Sequence, residues 1–529
     1  MFKKIGRFFV PADIEIRKRR LELLVWSFLL SLAFYEYFGF LAWLALVRPL
    51  MIITRLKGRP AFNAAYFFGF FFNLFSLYWV AMVTPPGIFA AVVIVAFYYT
   101  AVLMVFKRLY DIRPVFGAVA LPFLWTGIEY FRTLSQFAFP WADLGYTQAY
   151  YLYILQIVSL TSVHGLTFLI VAVNVLLWQI FRRGVSPERK LTAFLSSAAV
   201  VALLAAYGWI VIPKYPEPGT LDIALMQGSV PLEEKWKQGN EAYSYNLYDS
   251  LASSAADSQT VLYIWPETSA PSYLTHEYAA RLRVGRIARK TGAYHLVGAL
   301  AAQVTREGQK HYNACYQFNP QGHLEERYDK VKLVPFSEQV PYQEELPFLK
   351  RDVLTKYLTF IDKYHVQWWS DFYPGDSMVL FDIPEAKYGV LICYEATFPE
   401  YAREMILKGA NFIVGITNDT WFGNSVGIYM HSRMFLTRAV ENRCWMARAA
   451  NSGISYIVDD YGRIRNSLGY NEVAVIKDKI KLLQNGPESF FTRHGDIIGQ
   501  ASFLMLACLS VILLVIWLTQ KIFLRKSAR

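Results

Sequence analysis

Cysteine is scarce. Four residues in 529, Cys315, Cys393, Cys444 and Cys508, are too few and too widely spaced for a zinc site or a disulfide framework, and they leave the redox compartment open. Charge is scarce as well: 18% of residues are charged while 55% are hydrophobic and 17% aromatic, which excludes an ordinary soluble chain of this size. No glycine-rich phosphate loop and no metal-binding histidine motif occurs, so neither nucleotide nor metal is expected as a cofactor. The net charge of +12 sits mainly in short loops between apolar runs and near both ends. That distribution speaks for membrane topology and against a nucleic-acid partner.

The apolar runs cover about 22–36, 38–54, 62–82, 87–106, 114–131, 151–181, 191–212 and 497–519. Glu36 and Gly39 divide the first stretch into a hairpin of two short helices. With that division, Arg55, Lys57 and Arg59, then Lys107, Arg108 and Arg113, then Arg182, Arg183, Arg189 and Lys190 share one side with both basic termini. The positive-inside rule makes that side cytoplasmic and gives eight spans. Lys3, Lys4 and Arg7 precede a first helix expected to be retained, since no small-residue cleavage site follows it. Three parts are expected: a membrane part over 1–213 with seven spans, an extracytoplasmic domain over 214–496, and the eighth span with a cytoplasmic tail over 497–529. The outer loop Phe139 to Tyr146 is rich in rings, which are expected to sit at the membrane interface.

Within 214–496, strand and helix patterns alternate as in a layered α/β domain. Strands are expected at 221–226, 261–265, 295–300, 312–318, 324–328, 378–383, 389–392, 411–416, 445–450, 455–458 and 473–476, with helices at 278–290 and 424–443. The stretch 342–375, with Trp368 and Trp369, fits no alternation and reads as a lid.

Three strands each end on a reactive side chain. Trp265-Pro266-Glu267 ends on a carboxylate, Tyr328-Asp329-Lys330 on an ammonium and Ile392-Cys393 on a thiol. A carboxylate can take a thiol proton and return it to a leaving group, and an ammonium can stabilise the oxyanion formed by attack on a carbonyl. Thr397 and Glu400 have the spacing of a capping box, so Cys393 is expected to face a helix N-terminus that would lower its pKa.

These segments, with Leu333 to Glu338, Cys393-Tyr394-Glu395 and Asn418-Asp419-Thr420-Trp421-Phe422-Gly423, resemble the Glu-Lys-Cys signature of the nitrilase (carbon-nitrogen hydrolase) superfamily. Joined to the spans, and with Phe139-Pro140-Trp141 and Gly145-Tyr146, the pattern is similar to its membrane-bound apolipoprotein N-acyltransferase family. The resemblance implies an αββα sandwich and a two-step acyl transfer in which Glu267 is the base, Cys393 the nucleophile and Lys330 the oxyanion stabiliser. It further implies that Glu338 orients Lys330, that Tyr394 and Glu395 support the nucleophile, and that Trp236 and Trp421 bind substrate. It implies a phospholipid donor, typically phosphatidylethanolamine, a diacylated apolipoprotein acceptor, no cofactor, and a monomer in the bacterial inner membrane with its catalytic domain in the periplasm. Ser337, Ser229 and Lys332 depart from the family's usual glycine, asparagine and histidine.

Two other readings stay open on the residues alone. Gly423-Asn424-Ser425-Val426-Gly427 matches a serine-hydrolase elbow with Asp460 and His494 downstream, although Ser425 lies well past its strand end. The same Glu-Lys-Cys set could also serve a membrane-anchored amidase with water as acceptor.

Overall fold

Prolines and capping side chains fix where the helices of the apolar half begin. The computed structural model describes residues 13–237, 239–306, 308–350, 353 and 371–527. The N-terminal basic residues Lys3, Lys4 and Arg7 and the tryptophans Trp368 and Trp369 lie outside the described residues. Helix α1 (Ile14–Leu32) opens on Asp13, whose carboxylate accepts from the Glu15 and Ile16 N–H groups at 2.8 and 3.2 Å. It is followed by α2 (Val47–Arg55), α3 (Gly58–Leu77) and α4 (Pro85–Ile112). Thr84 caps α4 ahead of two prolines, and α4 stops at Arg113 because Pro114 disfavours helical backbone in the residue before it. Then come α5 (Pro114–Phe131), α6 (Val158–Phe181) and α7 (Pro187–Val211). Among the described residues five helices are long and apolar enough to cross a membrane: Gly87–Ile112, Pro114–Phe131, Val158–Phe181, Pro187–Val211 and Ile497–Gln520.

Several of the expected apolar runs are broken, that over 62–82 by the end of α3 at Leu77 and a separate turn, Val80–Val83. The run over 38–54 is not one helix but a 3-10 turn, Gly39–Trp43, and the nine-residue α2. Pro49 has no N–H and fits only the first turn of a helix, so α2 begins just ahead of it. Asn174 of α6 mends the break: its Oδ1 accepts from Leu46 N at 2.9 Å and its Nδ2 donates to Ala42 O at 2.8 Å. The run over 151–181 also divides, with Ser162 at φ 57° inside α6. The Val163 N–H freed there donates to Glu441 Oε1 at 2.9 Å, a contact from the half of the chain beyond residue 213.

That half holds strands β1 (Leu221–Gln227) and β2 (Leu262–Ile264), with helix α8 (Glu241–Ser254) between them. β3 (Ala270–Tyr273), α9 (Tyr278–Thr291), β4 (Tyr294–Thr305), β5 (Gly308–Phe318) and β6 (Leu324–Asp329) follow. The second part runs β7 (Leu380–Ile383), β8 (Ala386–Ile392), α10 (Pro399–Leu407), β9 (Phe412–Thr417), α11 (Val426–Asn442), β10 (Met446–Ala450), β11 (Ser455–Val458), β12 (Ile464–Leu468) and β13 (Ala474–Ile480). One sheet has the order β13-β1-β2-β4-β5-β6, with β3 paired to β4, and the other β12-β11-β10-β9-β8-β7. β3 and β12 were not legible beforehand: β3 is four residues with Pro271 inside, and β12 is an exposed edge without alternation.

Strand alternation builds the layers. Ile223 and Leu225 of β1 join the core with Val390, Ile392 and Ile413 of the facing sheet, while Ala224 and Met226 pack outward with Tyr245 and Tyr248 of α8 and Val284 of α9. Helices α10 and α11 cover the other sheet, which completes an αββα sandwich. The last helix, α12 (Ile497–Ser527), returns to the apolar half against α5. A Cβ on Gly127 would come within 2.5 Å of Ser502 O, so only glycine permits that approach.

Candidate active site

The strand-end residues Glu267, Lys330 and Cys393 converge between the sheets. Glu267 sits one turn past β2, 6% exposed, and both of its oxygens are occupied. Oε1 accepts from Asn313 Nδ2 at 2.7 Å and Oε2 from Asn418 N at 2.8 Å. Gly298 of β4 makes room for this turn: a Cβ there would lie 2.3 Å from Pro266 O and 2.7 Å from Glu267 Cα.

Lys330 follows β6 and is 1% exposed. Its ammonium donates to Glu338 Oε1 at 2.8 Å and stands 3.7 Å from Glu267 Oε1. Burial alone would lower its pKa, but Glu338 first, then Glu267 and Cys393, overrule that and hold it raised, so the cation persists across the neutral range. Glu338 also accepts from Asn313 Nδ2 at 3.1 Å and from Val334 N at 2.8 Å. Asn313, in the middle of β5, therefore ties both glutamates together. Nothing in its sequence context distinguishes it from any polar residue on a strand.

Cys393 stands just past β8 at φ 51°, a left-handed conformation that a side chain rarely adopts. A 3-10 turn, Cys393–Thr397, follows it, and α10 starts only at Pro399. The expected capping box does not form: the Thr397 hydroxyl donates back to Tyr394 O at 2.8 Å. The expected lowering of the thiol pKa is reversed as well. Burial first and Glu267 second push the Cys393 pKa up, with Lys330 and Thr417 opposing, so the resting group is a thiol that needs a base.

Glu395 braces two of the three strand ends. One oxygen accepts from Tyr328 OH and Val331 N, both at 2.7 Å, and from Lys332 N at 3.2 Å, and the other accepts from Ile392 N at 2.7 Å. Burial pushes its pKa up to about 7 against these donors. Behind Cys393 lies a second brace that the sequence did not reveal. His431 Nε2 meets the Cys393 carbonyl at 3.1 Å, its Nδ1 meets Asp419 Oδ1 at 2.9 Å, and Arg448 Nη2 donates to Asp419 Oδ2 at 2.7 Å.

The loop that follows α5 forms a wall of the site. Tyr394 OH donates to Ala138 O at 2.7 Å, and Lys332 Nζ donates to Ser135 O at 2.6 Å. Trp141, expected at the membrane interface, is instead 4% exposed and packs on Phe422 and His431 at 5.9 and 5.8 Å between ring centres. Trp421 is partly buried against the core, whereas Trp236 is 47% exposed. Phe137 and Phe336, 6.0 Å apart, line the rim and are each about half exposed. Of the departures, Lys332 supplies the contact to Ser135, and Ser229 at φ 47° donates through its hydroxyl to Glu472 O at 2.8 Å. The serine-hydrolase alternative fails on geometry. Ser425 caps α11, its hydroxyl donating to Phe422 O at 2.7 Å, while the His494 ring packs on Phe490 and Asp460 faces Lys481.

Comparison with known proteins agrees with both halves of the chain. Residues 222–484 match the carbon-nitrogen hydrolase family, and residues 27–176 match the apolipoprotein N-acyltransferase N-terminal domain. The apolipoprotein N-acyltransferase of Geobacter metallireducens is 33% identical over 476 residues, 87% of this chain and 88% of the relative. That of Chlorobaculum tepidum is 29% identical over 492 residues, 87% of this chain and 89% of the relative. A solved amidase of the nitrilase superfamily from Nesterenkonia is 19% identical, with a TM-score of 0.38 over 53% of this chain and 96% of its own. An αββα sandwich joined at both ends to apolar helices, in a chain that the Geobacter metallireducens relative matches over 87% of its length at 33% identity, places the chain in the apolipoprotein N-acyltransferase family.

Proposed function

We propose that this chain moves an acyl chain from a glycerophospholipid, phosphatidylethanolamine foremost, through a thioester on Cys393 to an apolipoprotein. The acceptor is the α-amino group of the N-terminal diacylglyceryl-cysteine, so the product is the triacylated lipoprotein. The observation that carries this reading is the buried set of one thiol, one ammonium and one carboxylate at three strand ends, with a membrane-side loop for a wall.

In the first step Glu267 takes the Cys393 proton and the sulfur attacks the ester carbonyl. The Lys330 ammonium, kept in place by Glu338, stabilises the oxyanion, and Glu267 returns the proton to the departing glycerol oxygen. Lysophospholipid leaves and the thioester remains. In the second step the acceptor amine attacks the thioester, Glu267 takes the amine proton, and the sulfur departs and recovers it. Because the thiol is protonated at rest, Glu267 must be ionised for the first step to begin. Both substrates are lipids, so a site walled by a loop between spans receives them from the bilayer without a soluble route. Trp236 and Trp421 are assigned to substrate contact, Tyr394 and Glu395 to support of the nucleophile.

The topology that suits this chemistry has eight passes, the α1 and 38–54 segments forming the first pair, with both termini cytoplasmic. The inner membrane holds parts 1–213 and 497–529, the periplasm holds 214–496, and the enzyme acts as a monomer. Intact-protein mass spectrometry after incubation with phosphatidylethanolamine tests the reading. An added acyl mass, removed by hydroxylamine and absent in Cys393→Ala, supports it, as does transfer of that mass to a diacylated lipopeptide. Free fatty acid without N-acylated lipopeptide would instead assign water as the acceptor.

A further inference from the structure

One buried cation beside the site, Lys235, has no ion pair among the described residues. Lys235 ends the helical turn Leu232–Lys235 and is 2% exposed, yet no carboxylate oxygen of the described residues lies within 4.0 Å of its ammonium. Its donors reach Thr268 Oγ1 at 3.2 Å and Glu267 O at 3.5 Å. An ammonium taken out of water without an ion partner is costly, and a methionine or leucine would fill the same space more cheaply. Burial lowers this lysine to about 8, with the charge of Glu267 pulling the other way. The residue it grips is also strained: Thr268 is β-branched, buried and held at φ 49°. Two unfavourable features therefore meet in the turn Pro266-Glu267-Thr268.

We propose that Lys235 is a positioning residue for Glu267, clipping the strained turn by its backbone and hydroxyl while placing a positive charge behind the carboxylate. This rests on the assignment of Glu267 as the base. Both acceptors belong to the turn and not to the carboxylate, so the carboxylate stays free for Asn313, Asn418 and the proton it moves. Among the described residues, the charged and titratable groups near Glu267 are Lys330 from the end of β6, Cys393 from the end of β8, Lys235, and Glu338 across the shared Asn313 amide. Glu338 lies behind Lys330, and Glu267 is the charged group that Lys235 senses. Removing Lys235 thus takes away one of two cations that favour an ionised Glu267 and loosens the turn that aims it.

The test uses the full-length protein in phosphatidylethanolamine vesicles, with Lys235→Met, Lys235→Arg and Glu267→Gln beside the parent. Single-turnover thioester formation is followed by mass from pH 6 to 9, with thermal unfolding of each protein. Lys235→Met is expected to slow acylation by about ten- to a hundredfold. It should move the acid limb of the rate profile to higher pH, without lowering the unfolding temperature, since an unpaired buried charge has been replaced by an apolar chain. Lys235→Arg should recover part of the rate and return the acid limb toward the parent's. A parental rate and pH profile in Lys235→Met would overturn the proposal, as would a rate that falls only in step with lost folded protein. If Glu267→Gln keeps full activity, the assignment of the base itself fails. An inactive Glu267→Gln beside a fully active Lys235→Met would sink the positioning role alone.

Discussion

A buried thiol is a poor nucleophile until something removes its proton, and at Cys393 both burial and the neighbouring carboxylate hold the proton on. On the proposed mechanism, reactivity comes from Glu267 as the base and from the Lys330 cation placed for the oxyanion. The division of labour predicts different losses. Cys393→Ala should form no thioester at all. Glu267→Gln keeps the shape but cannot take a proton, and should slow thioester formation by about a hundred- to ten-thousandfold. Lys330→Ala removes the oxyanion partner and should lose about a hundred- to a thousandfold. Single-turnover acylation measured by mass, with folding checked by thermal unfolding, distinguishes the three; full activity in any one of them removes that residue from the mechanism. The meeting of these three strand ends was legible from sequence because residue type, strand end and motif coincide at each. Asn313 was not, since its importance lies in bridging Glu267 to Glu338 across 25 and 46 residues of chain, a relation that no local pattern encodes.

Secondary-structure elements do the aiming, and their tolerances are narrow. Gly298→Ala would place a methyl against the backbone of Pro266 and Glu267, so β4 and the Glu267 turn must separate. Acylation should drop by about tenfold or more, as expected when a positioned group moves by a fraction of an ångström to an ångström. Labelling of Cys393 by a small alkylating agent should continue; an unchanged acylation rate would mean that the turn has slack the structure does not suggest. The brace behind the nucleophile makes a pH-dependent prediction. Burial would raise Asp419, but Arg448 and His431 overrule it and hold its carboxyl below the usual range. Such a group contributes its full stabilisation above its unfolded value of about 3.9 and loses it progressively as pH falls from there through the lower native value. Asp419→Asn should therefore cost about 3 kcal/mol near neutral pH, with Arg448 left buried and unpaired. The gap to the parent in chemical denaturation should close below about pH 4; a gap that is constant with pH would point to packing instead of charge. The sequence identified the segment Asn418 to Gly423 but not this role. The Asp419–His431–Arg448 chain joins a turn, a helix and a strand that only folding brings together, and because the helix starts at Pro399 and not at Thr397, a 3-10 turn separates Cys393 from the helix end expected to face it.

At the scale of the whole molecule, two architectures share one site. The alternation of strands and the long apolar runs were readable because each follows a simple period, whereas the seam between them was not. Rings beside a membrane have the same sequence signature whether they anchor in lipid or pack inward, and Trp141 packs inward. The seam is polar as well as apolar. Arg438 Nη2 donates to Tyr146 OH at 2.9 Å, Glu441 accepts from Val163 N, and His164 pairs with Asp496 at the start of α12. Each of these contacts joins the apolar half to the catalytic half or to the last helix. If the domain were only tethered to the membrane, residues 214–496 produced alone should still acylate Cys393 from a short-chain phospholipid dissolved in water. The contacts of Ser135, Ala138 and Trp141 argue otherwise, because Lys332, Tyr394 and His431 would each lose a neighbour that now fixes the walls of the site. The separated domain should fold, as circular dichroism can verify, and yet acylate about a hundredfold more slowly or worse, the loss expected when positioning is relaxed. A folded domain with the parental rate would reduce the membrane half to an anchor, whereas a slow one that recovers when the 1–213 part is supplied in the same bilayer would make that half a component of the catalytic site.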